Sequence, residues 1–389
     1  MKARLLGYAR RPMPLPGRYV VLTAAALLAG ALPATACGTS ASSGAHAAAA
    51  PLELGVQDDG VLLRGSDALR GLAWKRIGEL KADDVRVIVP WSDVVSGSTA
   101  TRRPARISYR LTPFDRLVRE ARSHGVHVQM TLALPAPAWA TSTDRVGKTN
   151  PDPKLFAAFA GDMARHFKGK VGRFSVMNEP NLAVWLKPVR TSAAQYRTIY
   201  PVAYSAIKRA SPSAKVLFGE TAPFTRSPAA GTQPLPWIAA VLNGVRLKAD
   251  GVAHHPYSFK VSPLKPWPAK GSVSIGSLGR LVSALKGYAK SGQLRTPGGG
   301  VPGIYLTEHG YLVNGPDAPA YRTTQALPET TRARYWTQSL NIARRTPGVR
   351  QLLSYQLFPS PPGATWDTSV LDTDGAPTLP FTAIADRTR

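Results

Sequence analysis

Eight short apolar runs of β type alternate with longer amphipathic stretches from residue 52 onward, and no second-domain boundary interrupts them. With 34 Gly and 35 Pro as punctuation, this alternation predicts an α/β chain. Its eight parallel strands would close into a (β/α)8 barrel, one domain over 52–389. An open doubly wound sheet is the competing architecture. It is weakened because no Gly-rich phosphate loop follows the first run.

The expected strands are 52–56, 85–89, 126–132, 173–177, 216–218, 251–254, 303–307 and 352–356. Thr112-Pro113 opens a helix that carries Phe114, Leu117, Val118 and Ala121 on one face and stops at Gly125. Asp152-Pro153 opens another through Phe156, Phe159, Met163 and Phe167. Segments 191–210, 277–289 and 329–344 share the same spacing. Trp74 and Trp336 fall on helical stretches and read as core. The Pro-rich stretch 257–276 reads as an ordered loop over one barrel face.

The first 36 residues read as a removable export signal. Lys2, Arg4, Arg10, Arg11 and Arg18 precede an apolar run, 19–32, and then small residues. The run is shorter than the ~20 residues that span a bilayer. Cys37, the single cysteine, follows Ala34-Thr35-Ala36 and is a lipidation candidate, since the quartet resembles a bacterial lipoprotein box. Ordinary cleavage at an Ala-x-Ala site is the alternative. Residues 37–51 read as a low-complexity tether. The expected location is secreted, or lipid-anchored at the outer face of a bacterial cell membrane.

Composition excludes other classes. An apolar fraction of 44% excludes a disordered chain, and one cysteine excludes an intrachain disulfide scaffold. The net charge of +26 raises the question of nucleic acid. No helix-turn-helix, zinc pattern or aromatic RNA-binding strand accompanies it, so no nucleic-acid partner is expected. The charge is better matched to an anionic envelope polymer, a membrane surface or an acidic glycan.

In such a barrel the active site lies at the C-terminal ends of the strands. Two runs end there in glutamate. One closes on Met177-Asn178-Glu179-Pro180-Asn181, the other on Thr307-Glu308-His309. They end strands four and seven, 129 residues apart, which is three βα units of 43. Facing carboxylates at that mouth are what glycoside hydrolysis requires: one protonates the leaving oxygen, the other attacks or activates water. Glu220 ends strand five and reads as structural. His254 and His255 lie on opposite faces of a strand and no third ligand is spaced nearby, so no metal and no cofactor is expected. By the same alternation His309 faces away from Glu308 and reads as core.

The Asn178-Glu179-Pro180 motif, paired with Glu308, resembles glycoside hydrolase clan A, most like family 39 with family 5 close behind. Family 39 often has Trp before the Asn, where this chain has Met177. The resemblance covers roughly 52–389. It implies a retaining hydrolase of O-glycosidic, β-linked bonds in an extracellular poly- or oligosaccharide. Glu179 would be the general acid/base and Glu308 the nucleophile. Arg86 matches the arginine beside the nucleophile, and His255-Pro256-Tyr257 matches the clan's His-x-Tyr, whose Tyr hydroxyl contacts the nucleophile. Asn178 would bond the sugar 2-hydroxyl. Aromatic faces stack on sugar rings, so Trp139, Trp185 and Trp366 are the expected platforms, with Trp91 and Trp267 also following strands. A noncatalytic carbohydrate- or envelope-binding barrel is the second reading. The intact set of Glu179, Glu308, Arg86, Asn178 and Tyr257 argues against it.

Overall fold

The computed structural model describes residues 51–313, 325–362, 364 and 366–386. The expected signal, the tether as far as residue 50 and Cys37 lie outside the described residues. Eight parallel strands close into a barrel: β1 (Glu53–Gln57), β2 (Asp84–Pro90), β3 (His127–Ala133), β4 (Arg173–Val176), β5 (Lys215–Thr221), β6 (Gly251–His254), β7 (Gly303–His309) and β8 (Val349–Tyr355). Each strand pairs with its neighbours in sequence, and β8 closes on β1 with Leu54 opposite Leu352. Every expected strand is present.

A helix follows each strand: α1 (Asp67–Glu79), α2 (Thr112–Ser123), α3 (Pro153–His166), α4 (Val189–Ala210), α5 (Pro234–Leu242), α6 (Leu278–Ser291), α7 (Glu329–Arg345) and α8 (Leu379–Ala385). Their starts follow local chemistry. Ser66 and Asp152 cap α1 and α3 by accepting the backbone N–H of Leu69 and Leu155. Gly292, at φ 78°, ends α6 in the left-handed conformation that glycine adopts without penalty. Helices α5 and α8 were not anticipated, and α1 only as a helical stretch around Trp74, without bounds. In α1, charges dilute the apolar face of Ala73, Trp74 and Ile77; α5 and α8 are short and open on proline. Two-residue strands, Leu247–Lys248 and Leu294–Arg295, form a separate parallel pair outside the barrel. Among the described residues, no helix is long and apolar enough to cross a membrane.

The main core lies between barrel and helices, where Trp74, Phe156, Phe159, Phe218, Trp237 and Trp336 are buried. Inside the barrel a small apolar cluster of Leu217, Ala253 and Tyr305 fills the middle. Gly251 makes room for it, because a Cβ there would collide with the Tyr305 ring. The N-terminal end is sealed by polar groups: Arg173 pairs with Asp84 and Glu53, Gln351 donates to Asp84, and Arg173 lies over the Tyr305 ring. The polar residues at the opposite end form the site.

Candidate active site

The site is built where strands stop being strands. β4 ends at Val176, a residue earlier than expected, because Met177 turns to φ 63° and Glu179 sits at φ 38°. At the end of β5, Glu220 has φ 46°. Left-handed backbone costs a non-glycine residue about 1–3 kcal/mol, so three such residues together mark a locally strained rim. The Glu179 N–H donates to the Glu220 carbonyl at 3.0 Å, tying the two strand ends together.

Arg86 on β2 is the hub. It is fully buried and donates to Glu308 at 2.7 Å, Asn178 at 2.8 Å, Thr131 at 2.9 Å and Glu220 at 3.1 Å, and also to Gln57. Burial alone would lower its pKa. The carboxylates of Glu220 and Glu308 outweigh burial and raise it, so the guanidinium stays charged. Glu220, itself buried, is therefore the structural counter-ion of Arg86.

Glu308, 8% exposed, takes Arg86 on one oxygen and the Tyr257 hydroxyl on the other, at 3.0 Å. Glu179 accepts from the Trp185 indole N–H at 3.1 Å and meets His255 Nδ1 at 3.0 Å. His255 stands between the carboxylates, 3.6 Å from Glu308. Burial would depress its pKa, but Glu308 and Glu179 raise it above the usual histidine value. His254 points the other way, to Thr221 and the Val273 carbonyl, and burial lowers it to about 3. His309 likewise faces the helices, against Ser339.

One oxygen of Glu179, one of Glu308 and a His255 nitrogen all lie within 4.8 Å of one another. The sequence offered no third metal ligand near His254-His255, because the ligand atoms come from three different strands. This set is already engaged. Arg86 lies against Glu308, and N–H or O–H donors hold the remaining oxygens. A cation there would sit beside a guanidinium, so the arrangement suits a hydrogen-bonded carboxylate pair.

A cavity of 1160 Å³ opens over the pair, lined by Asn178, Glu179, Tyr257 and Glu308 with Trp185 and Trp366 as aromatic walls. Trp366 meets the Tyr257 ring edge-on at 5.2 Å. Arg86 and His255 lie behind these residues rather than on the lining. The expectation for Trp139 is corrected. It does not line the cavity but packs edge-on against buried Trp91 at 5.5 Å, which in turn stacks on Phe159. Both tryptophans anchor the β2 and β3 ends. Trp267 stacks on Phe224 at 4.2 Å and holds down loop 257–276. Sequence reasoning missed Gln57 and Asp59, which line the cavity floor. Asp59 accepts from the Ile88 N–H and from Gln57, both at 2.7 Å, and burial raises its pKa. The signal that finds them is Gln57-Asp58-Asp59, a polar triplet directly after the first apolar run.

The fold is a closed (β/α)8 barrel, and solved glycoside hydrolases share it. A family 39 glycoside hydrolase from Bacteroides cellulosilyticus superposes with TM-score 0.65 at 17% identity, over 86% of this chain and 63% of its own. A family 39 β-xylosidase from Caulobacter crescentus gives 0.57 at 18%, over 87% and 70%. A family 5 enzyme, subfamily 18, from Streptomyces cattleya gives 0.58 at 17%, over 87% and 80%. The chain thus spans less than two thirds of the length of the first of these. No family model matches the chain, and no curated protein matches it.

Proposed function

We propose that the protein is a retaining glycoside hydrolase acting on β-linked sugars. The observation that carries this is the carboxylate pair: oxygens of Glu179 and Glu308 approach within 4.8 Å across the mouth. Retaining enzymes hold their carboxyl groups about 5–5.5 Å apart, whereas inverting enzymes need about 6.5–9.5 Å to admit a water. In the first step a Glu308 oxygen bonds to the anomeric carbon, the glycosidic C–O bond breaks, and Glu179 gives its proton to the leaving oxygen. In the second, Glu179 takes a proton from water, whose oxygen displaces Glu308. Two inversions leave the configuration unchanged.

The neighbouring groups suit these roles. Arg86 and Tyr257 orient Glu308 through one contact on each oxygen, leaving attack geometry as its remaining freedom. Trp185 and His255 orient Glu179. Asn178, fixed by Arg86 through its carbonyl, keeps its amide group for a sugar hydroxyl. Replacement of either glutamate by alanine is expected to abolish hydrolysis and leave the fold intact, measured on a glycan panel with circular dichroism as control. Azide added to Glu308→Gly should restore turnover of an activated glycoside with inverted product. Wild-type activity in either alanine variant would sink the assignment of the pair, whereas a wild-type protein that binds glycans of the panel and hydrolyses none would favour a binding barrel.

The same reading places the enzyme outside the cytoplasm, exported by residues 1–36 and held through Cys37 or released. The support is the order of basic, apolar and small residues in that segment.

A further inference from the structure

We infer that the cleft is built for a glycan that carries negative charge, a carboxylate or phosphate on the ring at Trp185 or on its neighbours. The inference rests on the hydrolase reading above and names the substrate class of that site.

The charge around the mouth is sided. Segments 91–111, 134–152, 177–188, 222–233 and 255–277 lead from the ends of β2 to β6. They carry four, two, one, one and three Lys or Arg, eleven in all, against three Asp besides Glu179. Segment 356–378, after β8, carries three Asp and no cation. The loops on the cationic side are laced together. Thr149 bridges to Lys187 and Leu182 to Gly231, the Ala138 N–H donates to the Ser98 carbonyl, and the Val273 N–H donates to the Pro223 carbonyl. They therefore form one continuous wall.

Among the described residues, the cations on this wall form no ion pair. Elsewhere the chain pairs its surface arginines locally, as Arg76 with Glu79 and Arg165 with Asp162. Arg110 and Arg226 line the cavity and are exposed. Arg110 donates only to the carbonyls of Asp93 and Val95, and among the described residues no carboxylate pairs with either arginine. Asp93, the lining acid nearest Arg110 in sequence, accepts from Ser92.

Next to the reacting pair the arrangement is more specific. Lys148 Nζ lies 4.4 Å from the ring centre of Trp185 and donates to the Val184 carbonyl. Trp185 is the wall residue that donates to Glu179. Burial and the neighbouring Lys187 both lower the Lys148 pKa, the signature of two cations held together with no acid between them. A sugar ring beside Trp185 would thus sit in the field of two uncompensated cations, Lys148 against the Trp185 ring and Arg226 on the cavity lining. An anionic substituent relieves that repulsion, and a neutral sugar leaves it in place. A nucleic acid, with a phosphate at every residue, would also set charges against Glu179 and Glu308.

The test uses the full chain and xylan and β-glucan oligosaccharides, each in neutral, carboxylated and phosphorylated form. Turnover and tryptophan-fluorescence binding are measured at about 20 mM and about 500 mM NaCl, on either side of strong screening. The charged members should show kcat/KM at least about tenfold above the neutral ones at low salt, an advantage that collapses at high salt. The carboxylated and phosphorylated arms separate the two anion sources. Arg226→Ala and Arg110→Ala should raise KM for the preferred charged member and flatten its salt dependence. Equal turnover of charged and neutral members at low salt overturns this inference and leaves the hydrolase reading standing. Inhibition by duplex DNA as strong as by the charged glycans also overturns it. Charge-selective binding without turnover of any member overturns the hydrolase reading and leaves the anion surface in place. Neither binding nor turnover overturns both.

Discussion

Arg86 has no contact with solvent, yet it touches the nucleophile candidate Glu308, its counter-ion Glu220 and the cavity-lining amide of Asn178 at once. Removing one partner from a buried ionic cluster leaves the others uncompensated, at about 3–5 kcal/mol. Arg86→Ala should therefore lower stability by that order in urea unfolding. Arg86→Lys keeps the charge but loses the planar fork. It should fold, with kcat reduced about 10²-fold by misplacement of Glu308. Near-wild-type kcat in the lysine variant would remove Arg86 from the positioning role. His255 offers a pH-resolved counterpart. Its pKa is raised in the folded state, so its protonation contributes stability that is fully present below the ordinary value of 6.5. That contribution is lost as pH rises through the raised value. His255→Gln should thus be most destabilised at acid pH, with the gap to wild type closing at alkaline pH. A gap that does not change with pH would contradict the charge assigned to the ring.

At the scale of elements, Asp58 joins the start of the barrel to its end. It follows β1, caps the short helix Asp59–Arg64 through the Val61 N–H, and accepts the Phe358 N–H just after β8. Burial raises its pKa from 3.8 to about 6. The wild-type protein should lose stability relative to Asp58→Asn as pH rises from about 4 to about 6, by about 3 kcal/mol. Parallel denaturant titrations of the two proteins measure this. Legibility in the sequence also divides by element. Strands buried on both faces read as continuous apolar runs, so all eight were visible, and so were Glu179 and Glu308 at two of their ends. Trp139 was misread because a loop tryptophan has the same sequence signature whether it faces a cleft or, as here, props up Trp91. Glu220 was legible as structural but not as the partner of Arg86, since that contact spans 134 residues. The left-handed turn at Met177 and Glu179 left no mark in composition.

For the whole molecule, the charge of +26 acquires a geometry. Five cations lie in the proposed leader, and eleven lie on the laced loops of the mouth. If Cys37 is the lipid attachment point, Cys37→Ser expressed in a bacterial host should move the enzyme from the membrane fraction into the medium with its activity unchanged. Unaltered fractionation would exclude anchoring through that residue. The sealed floor of the barrel governs traffic. With Arg173, Asp84, Gln351 and Tyr305 closing the far end, the cavity can be reached only from the rim. Under the proposed hydrolase reading, product leaves by the door through which substrate arrives, so departure and arrival compete for one threshold.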